Sequence, residues 1–309
     1  MSLRRYHCDP MTSPLTLGTA AMLTAAPLLW AGNAVVGRMV HELISPFTLN
    51  FVRWALAFVL LLPWTWVVLR RNSSVWAHWR RYTLLGLLGI GCYNALLYLA
   101  LQTSSPINVT LVGSSMPVWM LVIGRIGFGA RISLRQMLGA TLSMLGVAVV
   151  LSRGDLRQLL SLQLVPGDLF VLLAAVLWSL YSWMLAGTQE PTDLRGNWAF
   201  FLMAQLVFGL GWSALFAGGE WALGQATLEP SAPLALALLF IALGPAILAY
   251  RFWGVGVSRA GPAIAGFFAN LIPVFTAILS TLLLAELPHI YHGVAFALIV
   301  GGIVVSSRR

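Results

Sequence analysis

The chain is 309 residues long, 59% hydrophobic and only 9% charged, with a formal net charge of +9 and a mean hydropathy of +0.87. Soluble domains are about half apolar and about a quarter charged, so this composition cannot cover a water-facing surface and excludes a soluble enzyme. All 18 cations are arginine, scattered singly or in pairs beside apolar runs, a pattern that suits membrane orientation rather than nucleic acid.

Arg4-Arg5 precede a first apolar run at about 16–38. It is too long for the h-region of a signal peptide, about 7–15 residues, and reads as an uncleaved first span. Further runs follow at about 46–69, 82–102, 106–126 and 133–152, then at 167–187, 196–217, 233–256, 260–284 and 288–306. Hydrocarbon offers backbone groups no water, so spans of this length are helices; barrel strands would be short and alternating. Two cysteines, Cys8 in the polar tail and Cys92 in an apolar run, make no disulfide framework.

With the N-terminus inside, thirteen of the 18 arginines fall on the inner side: Arg4, Arg5, Arg70, Arg71, Arg80, Arg81, Arg125, Arg131, Arg135, Arg195, Arg259, Arg308 and Arg309. Only Arg38, Arg153 and Arg157 fall outside, and Arg53 and Arg251 lie within spans. The positive-inside rule therefore selects N-in and C-in.

The second half repeats the first weakly. Ala26-Pro-Leu-Leu-Trp30 resembles Ala174-Ala-Val-Leu-Trp178, and Pro106 with Pro117-Val118 matches Pro262 with Pro273-Val274. Each unit, 1–152 and 153–309, then holds five helices. An odd number turns the second unit upside down relative to the first. The expected fold is an all-α integral membrane protein of ten transmembrane helices in two inverted five-helix repeats. Inverted repeats recur in secondary transporters, with substrate held near midplane at the repeat interface.

Several short motifs carry a family resemblance. They are Trp30-Ala-Gly-Asn33, Arg53-Trp-Ala-Leu, Pro117-Val, Gly167-Asp168-Leu, Trp178-Ser-Leu-Tyr181, Pro273-Val and Leu284-Ala-Glu286. In this order they resemble the drug/metabolite transporter superfamily and, within it, the ten-helix EamA-type proteins, over about 16–306. The subgroup they look most like is the YddG-like aromatic amino-acid exporters. The resemblance implies export of small metabolites across the cell inner membrane. One departure is that Ala130 and Arg131 stand where the first repeat would carry the counterpart of Glu286.

Polar and aromatic groups inside the membrane are candidate functional residues. Pro117 and Pro273 lie near midplane, and each frees the carbonyl four residues earlier, at Gly113 and Ala269. Ser114 and Asn270 sit three residues before them on the same face. A broken helix with such groups suits a substrate ammonium; the alternative is a kink satisfied by a neighbouring helix. Trp30 and Asn33 share a face of span 1, Trp178 and Tyr181 a face of span 6, and Tyr93 and Asn94 lie mid-helix in span 3. With Tyr250 and Trp253 of span 8, these could wall a cavity for an apolar or aromatic side chain, or simply pack. Trp64, Trp66, Trp76, Trp79 and Trp221 lie at span ends and read as interfacial belt. Arg53 and Arg251 could attract a carboxylate, but snorkelling or bonds to helix-end carbonyls are the favoured reading.

No acidic residue falls mid-span and no histidine is deep, so a proton relay of the usual kind is not expected. The Gly124-to-Gly129 segment follows an apolar helix and reads as a flexible loop or hinge. Gly293, Ala297 and Gly301 form a small-residue stripe for helix packing or a dimer contact. The function expected is uncoupled export of amino acids with apolar or aromatic side chains by alternating access. A channel and a proton-coupled drug or nucleobase exporter are the alternatives. An intramembrane enzyme lacks a nucleophile–base pair or metal motif. A monomer or weak homodimer in the lipid bilayer is expected, binding a small molecule, with no cofactor, metal or nucleic acid.

Overall fold

A computed structural model describes residues 15–104, 109, 112–152, 154–155, 157–160, 165–187, 191–284 and 290–307. Arg4, Arg5, Cys8, Pro106, Arg153, Glu286, Arg308 and Arg309 lie outside the described residues. Among those described, the ordered elements are all helices, joined by turns and short irregular segments, with one isolated antiparallel bridge between Ile44 and Leu228. Six helical stretches are long and apolar enough to cross a bilayer, with shorter apolar helices at Met116–Phe128, Leu134–Val149 and Pro262–Thr276.

The helices follow the apolar runs closely. Span 1 is Leu17–Met39, capped by the Thr16 hydroxyl, which accepts from the Thr19 N–H. Span 2 is Pro46–Thr65, with proline in its first turn where no N–H is needed, continued as a 3₁₀ turn at Trp66–Leu69. Span 5 is Leu134–Leu151, span 6 is Pro166–Ala186, span 7 is Trp198–Ala222 and span 10 is Ile290–Ser307.

Four spans are interrupted, and in matching pairs. Span 3 runs Trp79–Gly86, a π-helical turn at Leu87–Cys92, then Tyr93–Thr103. Span 8 runs Ala232–Ile241, a π-helical turn at Ala242–Leu248, then Ala249–Ala260. Span 4 turns at Ser114–Ser115 and resumes as Met116–Phe128. Span 9 is Pro262–Ala269 and Leu271–Leu284, separated at Asn270. Each proline sits in the first turn of the resumed helix, where its ring is tolerated.

The two halves interlock with a two-fold logic. Span 1 packs on spans 8 and 9, as span 6 packs on spans 3 and 4, while spans 2 and 7, 4 and 9, and 5 and 10 pair with their own equivalents. Small residues make the closest approaches. A Cβ on Gly86 would lie 2.7 Å from the Gly209 backbone, and one on either Gly139 or Gly302 would lie 2.6 Å from the other's carbonyl oxygen. The span 10 surface that meets span 5 therefore runs through Ala295, Ile299 and Gly302. The predicted stripe at Gly293, Ala297 and Gly301 is a different face: a Cβ on either glycine would meet nothing within 4 Å.

The ends are tied by buried carboxylates acting as caps. Glu220, at the end of span 7, accepts from Ser45 Oγ at 2.6 Å, Thr48 Oγ1 at 2.8 Å, and the N–H groups of Phe47 and Thr48 at 3.1 and 2.9 Å. These are the free donors of the span 2 N-terminus, where a negative charge is favoured; hydrogen bonds to a charged group contribute about 1.5–3 kcal/mol each. Asp168 accepts from Val165 N–H at 2.9 Å and from the Ser104 hydroxyl, joining span 6 to the end of span 3. At the opposite end Arg81 Nη2 donates to the Met184 carbonyl at 2.8 Å, and Ser74 Oγ to Asp193 at 2.7 Å.

The Gly124-to-Gly129 segment is not the expected loop. It is helical through Phe128 and closes at Gly129, whose φ of 69° is the left-handed conformation that suits glycine at a helix end. Gly124 is small because the Trp183 ring lies on it: a Cβ there would stand 2.1 Å from the indole. Trp64, Trp66, Trp76, Trp79 and Trp221 are exposed at span ends, as an interfacial belt requires.

Candidate functional site

The residues singled out on spans 1, 3, 6 and 8 converge between the two halves. The Trp30 and Trp178 rings meet edge to face at 5.4 Å, and Tyr93 lies 4.8 Å from Trp178. Tyr250 stands 5.7 Å from Trp178 and 4.8 Å from Trp54, both times edge-on. Edge-to-face pairs of this kind contribute about 0.5–1.5 kcal/mol beyond the area they bury. Trp253 closes the cluster from behind at 5.3 Å from Trp30, its indole N–H donating to Ser182 Oγ at 3.1 Å.

These rings wall a cavity of ≈160 Å³. Trp30, Tyr93, Trp178 and Tyr250 form its aromatic sides; Leu97, Met116, Ala269 and Ile272 add apolar surface from spans 3, 4 and 9. Its polar lining is Asn33, Asn94 and Arg53. A second cavity of ≈150 Å³ lies nearer the end that carries residues 187–197, lined by Tyr181, Trp198, Gln205, Arg251 and Ser258 among others. Tyr250 belongs to both walls.

Backbone irregularity places these side chains. A π turn shifts the hydrogen-bond ladder and leaves carbonyls for other donors. The Tyr250 hydroxyl donates to the Gly89 carbonyl and Asn50 Nδ2 to the Ile90 carbonyl at 3.2 Å, both in the span 3 π turn. In the matching span 8 turn the Pro245 carbonyl accepts from the Trp30 indole N–H at 3.2 Å. Each π turn is thus anchored by an aromatic side chain of the other half, and the span 3 turn also by Asn50 of its own half. Gly89 must be small, since a Cβ would lie 2.7 Å from the Tyr181 ring.

Of the sequence-derived candidates, Trp30, Asn33, Tyr93, Asn94, Trp178, Tyr250 and Ala269 line the central cavity. Tyr181 lines the second cavity, its hydroxyl donating to Gln205 Oε1 at 2.9 Å. Trp253 backs the aromatic cluster. Ser114 and Asn270 lie elsewhere, at the contact between the two helix breaks: Asn270 Nδ2 donates to the Ser114 carbonyl at 3.3 Å and to Ser143 Oγ at 3.0 Å. Gly113, Pro117 and Pro273 shape those breaks without lining either cavity. The break therefore satisfies itself across the pseudo-two-fold, because a short carboxamide on one half reaches the turn of the other.

The two arginines part company. Arg251 is exposed, its guanidinium 4.8 Å from the Trp198 ring centroid. Arg53 is 3% exposed and neither snorkels nor meets a helix-end carbonyl. Its Nε has no hydrogen-bond partner, and among the described residues it makes no hydrogen bond or ion pair; its contact is with the Trp54 ring at 4.9 Å. A buried cation–π contact is worth about 2 kcal/mol, less than the several kcal/mol that burying an unpaired ion costs. Neither contact expected of a structural Arg53, snorkelling or a helix-end carbonyl, is made among the described residues. The signal that could have found it was an intramembrane cation with no acidic residue in reach along its own helix.

Comparison with known proteins gives the family. A model described as the EamA-like transporter family matches twice, over residues 17–152 and 165–308. The chain belongs to that family. An uncharacterized transporter of Archaeoglobus fulgidus is 23% identical over 94% of this chain and 98% of its own. A protein of Ancylobacter novellus named as the aromatic amino acid exporter YddG is 26% identical over 78% of each chain. A solved crystal structure superposes with a TM-score of 0.73 at 23% identity, covering 93% of this chain and 95% of the other, which shows the fold. This EamA-like transporter is thus a multi-pass membrane protein with a small-molecule substrate, and the cavity between its repeats is the candidate site.

Proposed function

We propose that the chain is an inner-membrane exporter of small metabolites, chiefly amino acids with apolar or aromatic side chains. It works by alternating access, as facilitated transport without a coupling ion. The observation that carries this reading is the aromatic-walled cavity where spans 1, 3, 4, 6, 8 and 9 meet, with Tyr250 between it and a second cavity. The YddG relative, named as an aromatic amino acid exporter, supports the substrate class. The arginine count supports N-in and C-in, which puts the second cavity on the cytoplasmic side, where an exporter loads. Uncoupled transport is supported by the engagement of buried Asp168 and Glu220 as helix caps at span ends.

The test is counterflow in proteoliposomes with a panel of amino acids and nucleobases. Phenylalanine or tryptophan should exchange saturably, at a rate unchanged when a pH gradient is imposed or collapsed. Acidification of the lumen in step with transport would overturn the uncoupled mechanism. Exchange of nucleobases alone would overturn the substrate class.

A further inference from the structure

Of the described residues lining the central cavity, Arg53 carries the only formal charge. Its side chain is buried, lies 4.9 Å from the Trp54 ring and makes no hydrogen bond or ion pair with a described residue. Two neighbours on the lining are in the same condition: Asn33 and Asn94 make no side-chain hydrogen bond to a described residue. Buried Glu220, Asp168, Asn270 and Tyr181 are engaged, whereas Asn50 Oδ1 and Trp54 Nε1, on the same helix as Arg53, also lack a partner. Buried polar groups are satisfied as a rule, and an exception gathered around a cavity marks where a ligand completes the bonding.

We propose that Arg53 is the anchor for a substrate carboxylate, and that the cavity therefore selects aromatic carboxylic acids, with or without an amino group. This rests on the reading of the central cavity as the substrate site and sharpens it. The guanidinium fork matches a carboxylate through two parallel N–H donors. The aromatic sides take the ring, and the amides of Asn33 and Asn94 reach an amino, hydroxyl or keto group on the α-carbon. No acidic side chain among the described lining residues offsets an ammonium. A monoanion leaves the cavity neutral overall, whereas a zwitterion leaves it with the charge of Arg53. The deaminated acid is consequently accepted at least as well as the amino acid, and a ligand without a carboxylate is refused.

The experiment is competition against phenylalanine counterflow in proteoliposomes of the full chain. The competitors are 3-phenylpropionate, phenylalanine amide and 2-phenylethylamine. On the unmodified protein, 3-phenylpropionate should compete at or below the concentration that phenylalanine requires. The amide and the amine should need about tenfold more or fail, the loss expected for one charge-assisted hydrogen-bonded pair. Arg53→Gln should raise the concentrations of both acids by about tenfold or more and leave the weak amide unchanged; Arg53→Lys should restore part of the loss. Competition by the amide or amine as strong as that of the acids would overturn the anchor while leaving aromatic transport intact. Failure of every aromatic compound, acids included, would overturn the transport reading beneath it. Because Arg53→Gln could fold poorly, the panel on the unmodified chain decides alone, with ligand quenching of tryptophan fluorescence as a second readout.

Discussion

The two cavities that share Tyr250 are nearly the same size, ≈160 and ≈150 Å³, and differ in what their polar groups are doing. In the cavity nearer the 187–197 end, the Tyr181 hydroxyl and the Gln205 carboxamide bond to each other, Gln205 Nε2 also donates to the Phe201 carbonyl at 3.2 Å, and Ser258 Oγ donates to the Val255 carbonyl at 2.9 Å. Its arginine is exposed. In the central cavity, Arg53 is buried and, like Asn33 and Asn94, makes no side-chain hydrogen bond to a described residue. In the first the Tyr181, Gln205 and Ser258 side chains are engaged within the protein, which under the proposed function makes it a vestibule. The second is complete only with something in it. Volume alone does not separate a passage from a binding site; the unmet hydrogen-bonding capacity of the walls does.

The largest effect that can sharpen this contrast comes from the aromatic walls. Trp178 touches Trp30, Tyr93, Tyr181, Tyr250 and Trp253, so Trp178→Ala removes the ring around which the central cavity is built. Phenylalanine counterflow should fall by about tenfold or more, since stacking and area burial together amount to a few kcal/mol. Trp198→Ala, in the vestibule, should change it by less than about threefold. Equal losses, measured at matched protein insertion, would erase the distinction between the two.

Tyr250 bridges both cavities, and Tyr250→Phe separates its ring from its hydroxyl. The wall is kept, but the Gly89 carbonyl in the π turn loses its donor, a loss of about 1–3 kcal/mol for a buried group. Apparent affinity should stay within about twofold, while the exchange rate changes and the thermal midpoint falls. A changed affinity with an unchanged rate would place the hydroxyl on the substrate instead of on the π turn.

Much of this was legible in the chain. Span positions followed from apolar runs because hydrocarbon leaves so few alternatives to a helix. Trp30, Tyr93 and Trp178 were legible because large amphipathic side chains at mid-span need either a partner or a ligand. The π turns were not, although Gly89, Gly91 and Gly244-Pro245 mark them in hindsight. A glycine allows a close approach without saying whether a ring, a backbone or a widened turn fills it. The destinations of Ser114 and Asn270 were also hidden. Their spacing from the prolines puts them on the proline's face, but which face meets the opposite half depends on packing between segments about 156 residues apart. The surroundings of Arg53 were hidden for a related reason: a sequence shows a cation in a span, and only the fold shows that no described residue hydrogen-bonds to it.

The smallest predicted effect is the most direct test of that last difference. Arg251 and Arg53 are both arginines within spans, both lie over a tryptophan at 4.8 and 4.9 Å, and both line a cavity next to Tyr250. If proximity to a cavity were enough, their loss would be equivalent. Arg251 is exposed, so its ring contact is worth about 0.5–1 kcal/mol, and its donors are not shut away from solvent. Arg251→Gln should therefore shift competition by 3-phenylpropionate less than about twofold, and stability by no more than the surface range of about 0.5 kcal/mol. The same substitution at position 53 is expected to shift that competition about tenfold. A tenfold shift from Arg251→Gln would make the vestibule a second anion site. The unmet bonding that distinguishes the central cavity would then no longer identify where the carboxylate rests.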